Sequence, residues 1–117
     1  MTDIQEMEIA VKALDSKKAE NISAIKVGDL TILANYFVIA SASSTTQVKA
    51  LADEVEYQLE QQGVKPKNVE GVASGGWIVL DFIDVVVHVF LEETREFYNL
   101  EHLWADGEQV DISGLIS

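Results

Sequence analysis

The chain contains no cysteine. Disulfide bridges and thiolate metal sites are thereby excluded, and a reducing compartment is expected. Histidine is nearly as scarce: His88 and His102 are the two present, and no ligand spacing surrounds either, so no zinc site is expected. No apolar run reaches the roughly 18 uncharged residues that a membrane span needs. Basic residues are few, 8 against 20 acids, for a formal net charge of −12. A nucleic-acid binder ordinarily shows a basic face, whereas an acidic surface is repelled by phosphate and drawn to basic partners. Direct nucleic-acid binding is therefore not expected. A basic protein partner is compatible with the charge, and so is a coat that only keeps the chain soluble. The opening MTDIQEMEIAVKAL is acidic from its third residue. It lacks the positive start of a signal peptide and the Arg-rich character of a transit peptide, so the cytoplasm is the expected location.

What is present is enough for one domain. The 117 residues are 48% hydrophobic, a composition that builds a core without staples. Thr2 with Gln5 resembles a capping box, and Ile4, Met7, Val11 and Leu14 follow at helical spacing, predicting a helix over about residues 3 to 18 with Lys17 and Lys18 in its last turn. Ile22 to Val27 reads as a strand, Gly28-Asp29 as a turn, and Leu30 to Ala40 as a long strand rich in β-formers. Ser44 with Gln47 marks a second helix start, and Val48, Leu51, Val55 and Leu59 make its apolar stripe. Gly63 and then Pro66 suit its end. A strand over Asn68 to Val72 and a Gly/Ser turn follow, and Phe97, Leu100 and Trp104 recur at helical spacing. The order predicts an α/β or α+β fold: a mixed sheet of about five strands flanked by helices. The Leu30 strand, the long helix and the Asn68 strand have the order of a right-handed crossover. Weak signals after Asp106 set the expected core at about residues 3 to 105, with a tail over 106 to 117.

The segment WIVLDFIDVVVHVF, residues 77 to 90, is too long for one typical strand. Split at Phe82-Ile83 as a two-residue hairpin, it sets Asp81 opposite Asp84, Val79 opposite Val86 and Trp77 opposite His88. One face then collects Ile78, Leu80, Val85, Val87, Val89 and Leu91, which is wholly apolar and should pack on helices. The other collects Trp77, Val79, Asp81, Asp84, Val86, His88 and Phe90. That face is too polar for a core and too apolar for an ordinary wet surface, which is the character of a protein-binding patch. Trp77 as cover for a sheet edge and His88 as a satisfied, partly buried imidazole remain open as alternatives. Asp81 directly opposite Asp84 is repulsive, so one needs a donor or the turn must be looser.

No G-x-S-x-G, Walker loop or G-x-G-x-x-G is present. The SASSTTQ turn enters a helix N-terminus and can hold an anion, although an N-cap is the plainer reading. With Asp81 and Asp84 it faintly resembles a nucleotidyltransferase, but the glycine of that turn is missing and the acids flank a turn instead of alternating on one strand.

Four motifs together are similar to the ribosomal silencing factors, the family related to plant Iojap. They are NYFVIASASSTTQVKALADEVEYQL over 35 to 59, Glu70-Gly71, GWIVLDFIDVVVHVF over 76 to 90, and REFYNLEHLW over 95 to 104. They span most of the chain in order. The resemblance implies a nucleotidyltransferase-like sheet without catalytic acids, no enzymatic activity, and no cofactor or metal. It implies a translational repressor that binds the large ribosomal subunit through its protein number fourteen and blocks joining of the small subunit when nutrients are scarce. It also allows a homodimer. Carried over residue by residue, the partner-binding set is Trp77, Val79, Asp81, His88 and Phe90 on the sheet, Glu70 and Gly71 in the EG turn, and Arg95, Phe97 and Tyr98 in the REFYN segment with Glu96 and Asn99. Ile83 departs from the family, where many members have Gly. The alternatives are a nucleotidyltransferase-like enzyme and an acidic protein-binding adaptor.

Overall fold

The N-terminal helix starts where its capping chemistry places it. In the computed structural model, which describes residues 1–117, α1 spans Asp3–Ser16. The Thr2 hydroxyl accepts from the Gln5 amide at 3.1 Å, and the Gln5 side chain accepts from the Thr2 amide at 3.0 Å. Met7, Ala10, Val11 and Leu14 are buried, whereas Ile4, expected in the same stripe, is exposed. Lys17 is the C-cap and Lys18 has φ 61°, so both lysines lie beyond the last turn.

β1 spans Glu20–Lys26 and β2 spans Tyr36–Ala42. The expected long strand from Leu30 is therefore cut short. Val27 and Gly28 both donate to the Asn35 carbonyl, and Leu30 and Thr31 donate back to Val27, which closes residues 28–35 into a loop. α2 spans Thr45–Gln61, with the Ser44 hydroxyl accepting from the Gln47 amide at 3.2 Å and Val48, Leu51, Val55 and Leu59 fully buried. Gly63 has φ 78°, with Gly63 donating to Glu60 and Val64 to Leu59. This is a Schellman stop that needs a residue at ease in the left-handed region.

The remaining elements are β3 (Asn68–Glu70), β4 (Trp77–Asp81), β5 (Val85–Leu91), α3 (Glu92–Tyr98), α4 (Leu100–Leu103) and β6 (Glu108–Gln109). The sheet has six strands, one more than expected, in the order β3-β4-β5-β2-β1-β6. β2 and β5 pair in parallel at its centre, and the other pairings are antiparallel. β3 does not lie beside β2 as an immediate crossover partner. β5 is buried on both faces and takes the central place, while three-residue β3 takes the edge. The residues after Asp106 fold back: β6 pairs with β1, Val110 donates to Ala24, Ile112 enters the main core, and Ser117 donates to Asp15.

Two cores flank the sheet. α1 and α2 cover one face over 22 buried residues, including Ile78, Leu80, Val85, Val87 and Val89. The opposite face carries a smaller cluster, Ile25, Val27, Ala34, Phe37, Ile39, Val86, Phe90 and Leu100, with Trp77, Val79 and Trp104 at its margin. No helix is long and apolar enough to cross a membrane.

Candidate protein-docking surface

The β4–β5 hairpin sets out the surface. Its pairing is Trp77 with Phe90, Val79 with His88, and Asp81 with Val86. The expected register is wrong by two residues, and the reason lies in the turn. Phe82 donates to the Val85 carbonyl at 2.9 Å, so the turn closes around Ile83-Asp84, one residue later than the expected Phe82-Ile83. The Asp81 carboxylate accepts from the Ile83 amide at 2.8 Å, and Ile83 has φ 77°. Asp81 and Asp84 are not cross-strand partners, which removes the repulsion a tight turn would impose. A two-residue shift preserves parity, so the paired side chains keep their expected faces, whereas Asp84, expected on the Trp77 face, lies in the turn outside both strands.

Trp77 is half-buried and held from three sides. Its indole stacks on Phe90 with ring centroids 4.8 Å apart and packs beside Tyr98 at 4.9 Å. Its Nε1 donates to His88 Nδ1 at 3.1 Å. That bond makes Nδ1 an acceptor and places the imidazole proton on Nε2. Nε2 is buried without a hydrogen-bond partner, and the His88 and Phe37 rings meet edge-on with centroids 5.0 Å apart. Burial pushes the His88 pKa down to about 4, so the ring is neutral near pH 7 and remains an acceptor.

The edge strand extends this face. Glu70 pairs with Val79 and Asn68 with Asp81, and cross-strand partners share a face. Glu70 therefore flanks Val79, and its carboxylate accepts from Asn68 at 2.8 Å. Gly71 has φ 85°, and a Cβ there would lie 1.9 Å from the Trp77 carbonyl oxygen. The chain can leave β3 at this point and return under Trp77 only with glycine.

The REFYN segment divides into inward and outward residues. Arg95 turns inward: it pairs with Glu101 at 3.3 Å, donates to the Ser41 hydroxyl at 3.1 Å and reaches the Glu20 carbonyl at 3.5 Å. It fastens α3 and α4 to the ends of β1 and β2. Asn99, at φ 47°, ends α3 and starts α4. The expected continuous stripe of Phe97, Leu100 and Trp104 is broken there. Leu100 is buried and Trp104 packs on Phe37 at 5.2 Å, while Phe97 is 81% exposed. Phe97 meets Tyr98 edge-on at 5.0 Å, and exposed Leu103 ends the next short helix, α4. Leu103 is the apolar residue that sequence reasoning missed. Asn99 is the signal that could have exposed it, since asparagine tolerates the left-handed conformation that ends a helix.

Of the expected set, Trp77, Val79, Asp81, Glu70, Gly71, Phe97 and Tyr98 offer surface, whereas His88 and Phe90 are buried beneath it. The opposite face is thus not one open surface, because its centre is a small core with Trp77, Val79 and Trp104 packed at its margin. No group of three or more histidine or carboxylate side chains is arranged to hold a metal.

The model of the family described as "Ribosomal silencing factor during starvation" matches residues 1–117. A ribosomal silencing factor of Halalkalibacterium halodurans is 38% identical over 117 residues, covering 100% of both chains. The chloroplastic protein Iojap of Arabidopsis thaliana is 33% identical over 113 residues, covering 94% of this chain and 47% of that one. A crystal structure of a Chromobacterium violaceum protein superposes with a TM-score of 0.88 at 37% identity, over 90% of this chain and 88% of that one.

Proposed function

This chain belongs to the ribosomal silencing factor family, and from that premise we propose that it docks on the large ribosomal subunit through the subunit's protein number fourteen, using the Trp77 surface. Once bound, it occupies space that the small subunit needs, so translation falls when nutrients are scarce. The observation that carries this reading is the run of partly exposed aromatics, Phe97, Tyr98 and Trp77, spaced 5.0 and 4.9 Å apart. Folding gains little from leaving Phe97 81% exposed, whereas an aromatic anchor at an interface gains on docking. Glu70 stands opposite Val79 on the edge strand, and the net charge of −12 favours a basic protein surface. A steric mechanism asks for affinity and position and needs no catalytic group.

The test is a titration of purified large subunits. Trp77→Ala should weaken binding by about 30-fold or more, the loss of about 2 kcal/mol expected for an aromatic anchor. Phe97→Ala removes an exposed ring and should weaken binding with an unchanged melting temperature. Full affinity in both folded variants would contradict the reading.

A further inference from the structure

Folding leaves four large aliphatic side chains in water at the opposite end of β4. Ile32 is 103% exposed, Leu33 68%, Ile83 61% and Leu30 47%. They occupy two loops that are tied together, because Asn35 and Tyr36 both donate to the Asp84 carbonyl, at 2.8 and 3.1 Å. Ile83 also holds φ 77°, a conformation that a β-branched residue adopts at a cost and that glycine or asparagine adopts more easily. Neither burial nor backbone preference accounts for isoleucine there.

This tip continues the docking surface. Trp77, Val79 and Asp81 alternate along β4 on the face turned away from α1 and α2, and Ile83 follows at the turn. Val27 and Ala34, at the base of the neighbouring loop, belong to the cluster on that same face. From Trp77 to Ile83 the strip is on the order of 20 Å long at strand rise. Its charged residues across 26–35 and 81–85 are Asp29, Asp81 and Asp84 against Lys26. Two copies of this chain would bring those acids together, and phosphate would be repelled by them.

Resting on the function proposed above, we infer that Ile32, Leu33 and Ile83 form a second anchor, which seats in an apolar pocket rimmed by lysine or arginine on a protein of the large ribosomal subunit. The chain then lies lengthwise along its partner, held by aromatics at one end of β4 and by aliphatics at the other.

The experiment uses purified large subunits and the full chain. The photo-crosslinking amino acid p-benzoylphenylalanine is placed at position 32 and, separately, at position 97. Position 97 should crosslink to protein number fourteen, and position 32 to a protein of the same subunit. The double variant Ile32→Ser, Leu33→Ser should melt as the wild type does and bind about tenfold more weakly, a typical loss for a modest apolar contact. Ile83→Gly should melt at the same or a higher temperature yet also bind more weakly, a combination that a purely structural role does not produce. Wild-type affinity of the double variant, or a crosslink from position 32 to ribosomal RNA, would overturn the second anchor. A retained crosslink from position 97 in that case would leave the proposed function standing. Loss of both crosslinks, with full binding by Trp77→Ala, would remove the proposed function and this inference with it.

Discussion

His88 is where residue chemistry most directly controls the surface. Its ordinary pKa of 6.5 falls to about 4 on burial, so the unfolded chain takes up a proton that the folded chain refuses. The sign follows: the neutral ring's contribution is fully present above about pH 6.5 and is lost as pH falls through about 4, for a total on the order of 3 kcal/mol. Protonation also converts Nδ1 from acceptor to donor and breaks the bond from Trp77. Glu6 works in the opposite direction: burial raises its pKa, and Asp84 and Asp3 raise it further. The comparison must therefore be between variants. Melting of the wild type should drop from pH 6.5 to 4 more steeply than melting of His88→Leu. Equal slopes would show that His88 does not titrate in this window. The sequence marked His88 and Trp77 as neighbours on one face, but it could not show that the imidazole supports the indole from below, because its burial depends on Phe37, Trp77 and Phe90 converging from three strands.

At the scale of elements, alternation along the hairpin carries farther than register. Face assignments along the two strands of the hairpin were legible because parity survives a two-residue shift. The pairing itself was not legible, since it depends on the Asp81–Ile83 hydrogen bond and the left-handed Ile83, neither of which alternation reports. The strand starting at Leu30 failed for a similar reason: β-propensity reads side chains, whereas the Asn35 carbonyl closes the loop through the backbone. Leu80 and Val87 face the helices and are fully buried, while Val79 is only half-buried. Leu80→Ala should cost about 2 to 5 kcal/mol and Val87→Ala somewhat less, with Val79→Ala least. Denaturant titrations that rank Val79→Ala as the most damaging would reverse the face assignment.

For the whole molecule, the two-sided sheet separates the larger core from the proposed docking surface. The large core under α1 and α2 holds the fold, and the smaller one presents Trp77, Tyr98 and Phe97 at its rim. The placement of the two acids weighs against the nucleotidyltransferase alternative. Asp81 ends β4 with its carboxylate engaged in the turn, and Asp84 lies within that turn, so the two acids do not alternate along one strand. Incubation with magnesium and labelled nucleotides should give no transfer above background. Turnover abolished by Asp81→Asn would contradict the non-catalytic account. Charge acts over the same distance: Glu70→Gln should slow association with large subunits and flatten its salt dependence while barely changing dissociation.

The most direct test is subunit joining itself. Purified large subunits are incubated with increasing amounts of the protein, small subunits are added, and the products are separated on a sucrose gradient. The wild type should co-sediment with the large subunit and lower the amount of joined ribosome in proportion to its occupancy, and Trp77→Ala at the same concentration should leave joining nearly intact. Undiminished joining at full occupancy by the wild type would contradict the steric account.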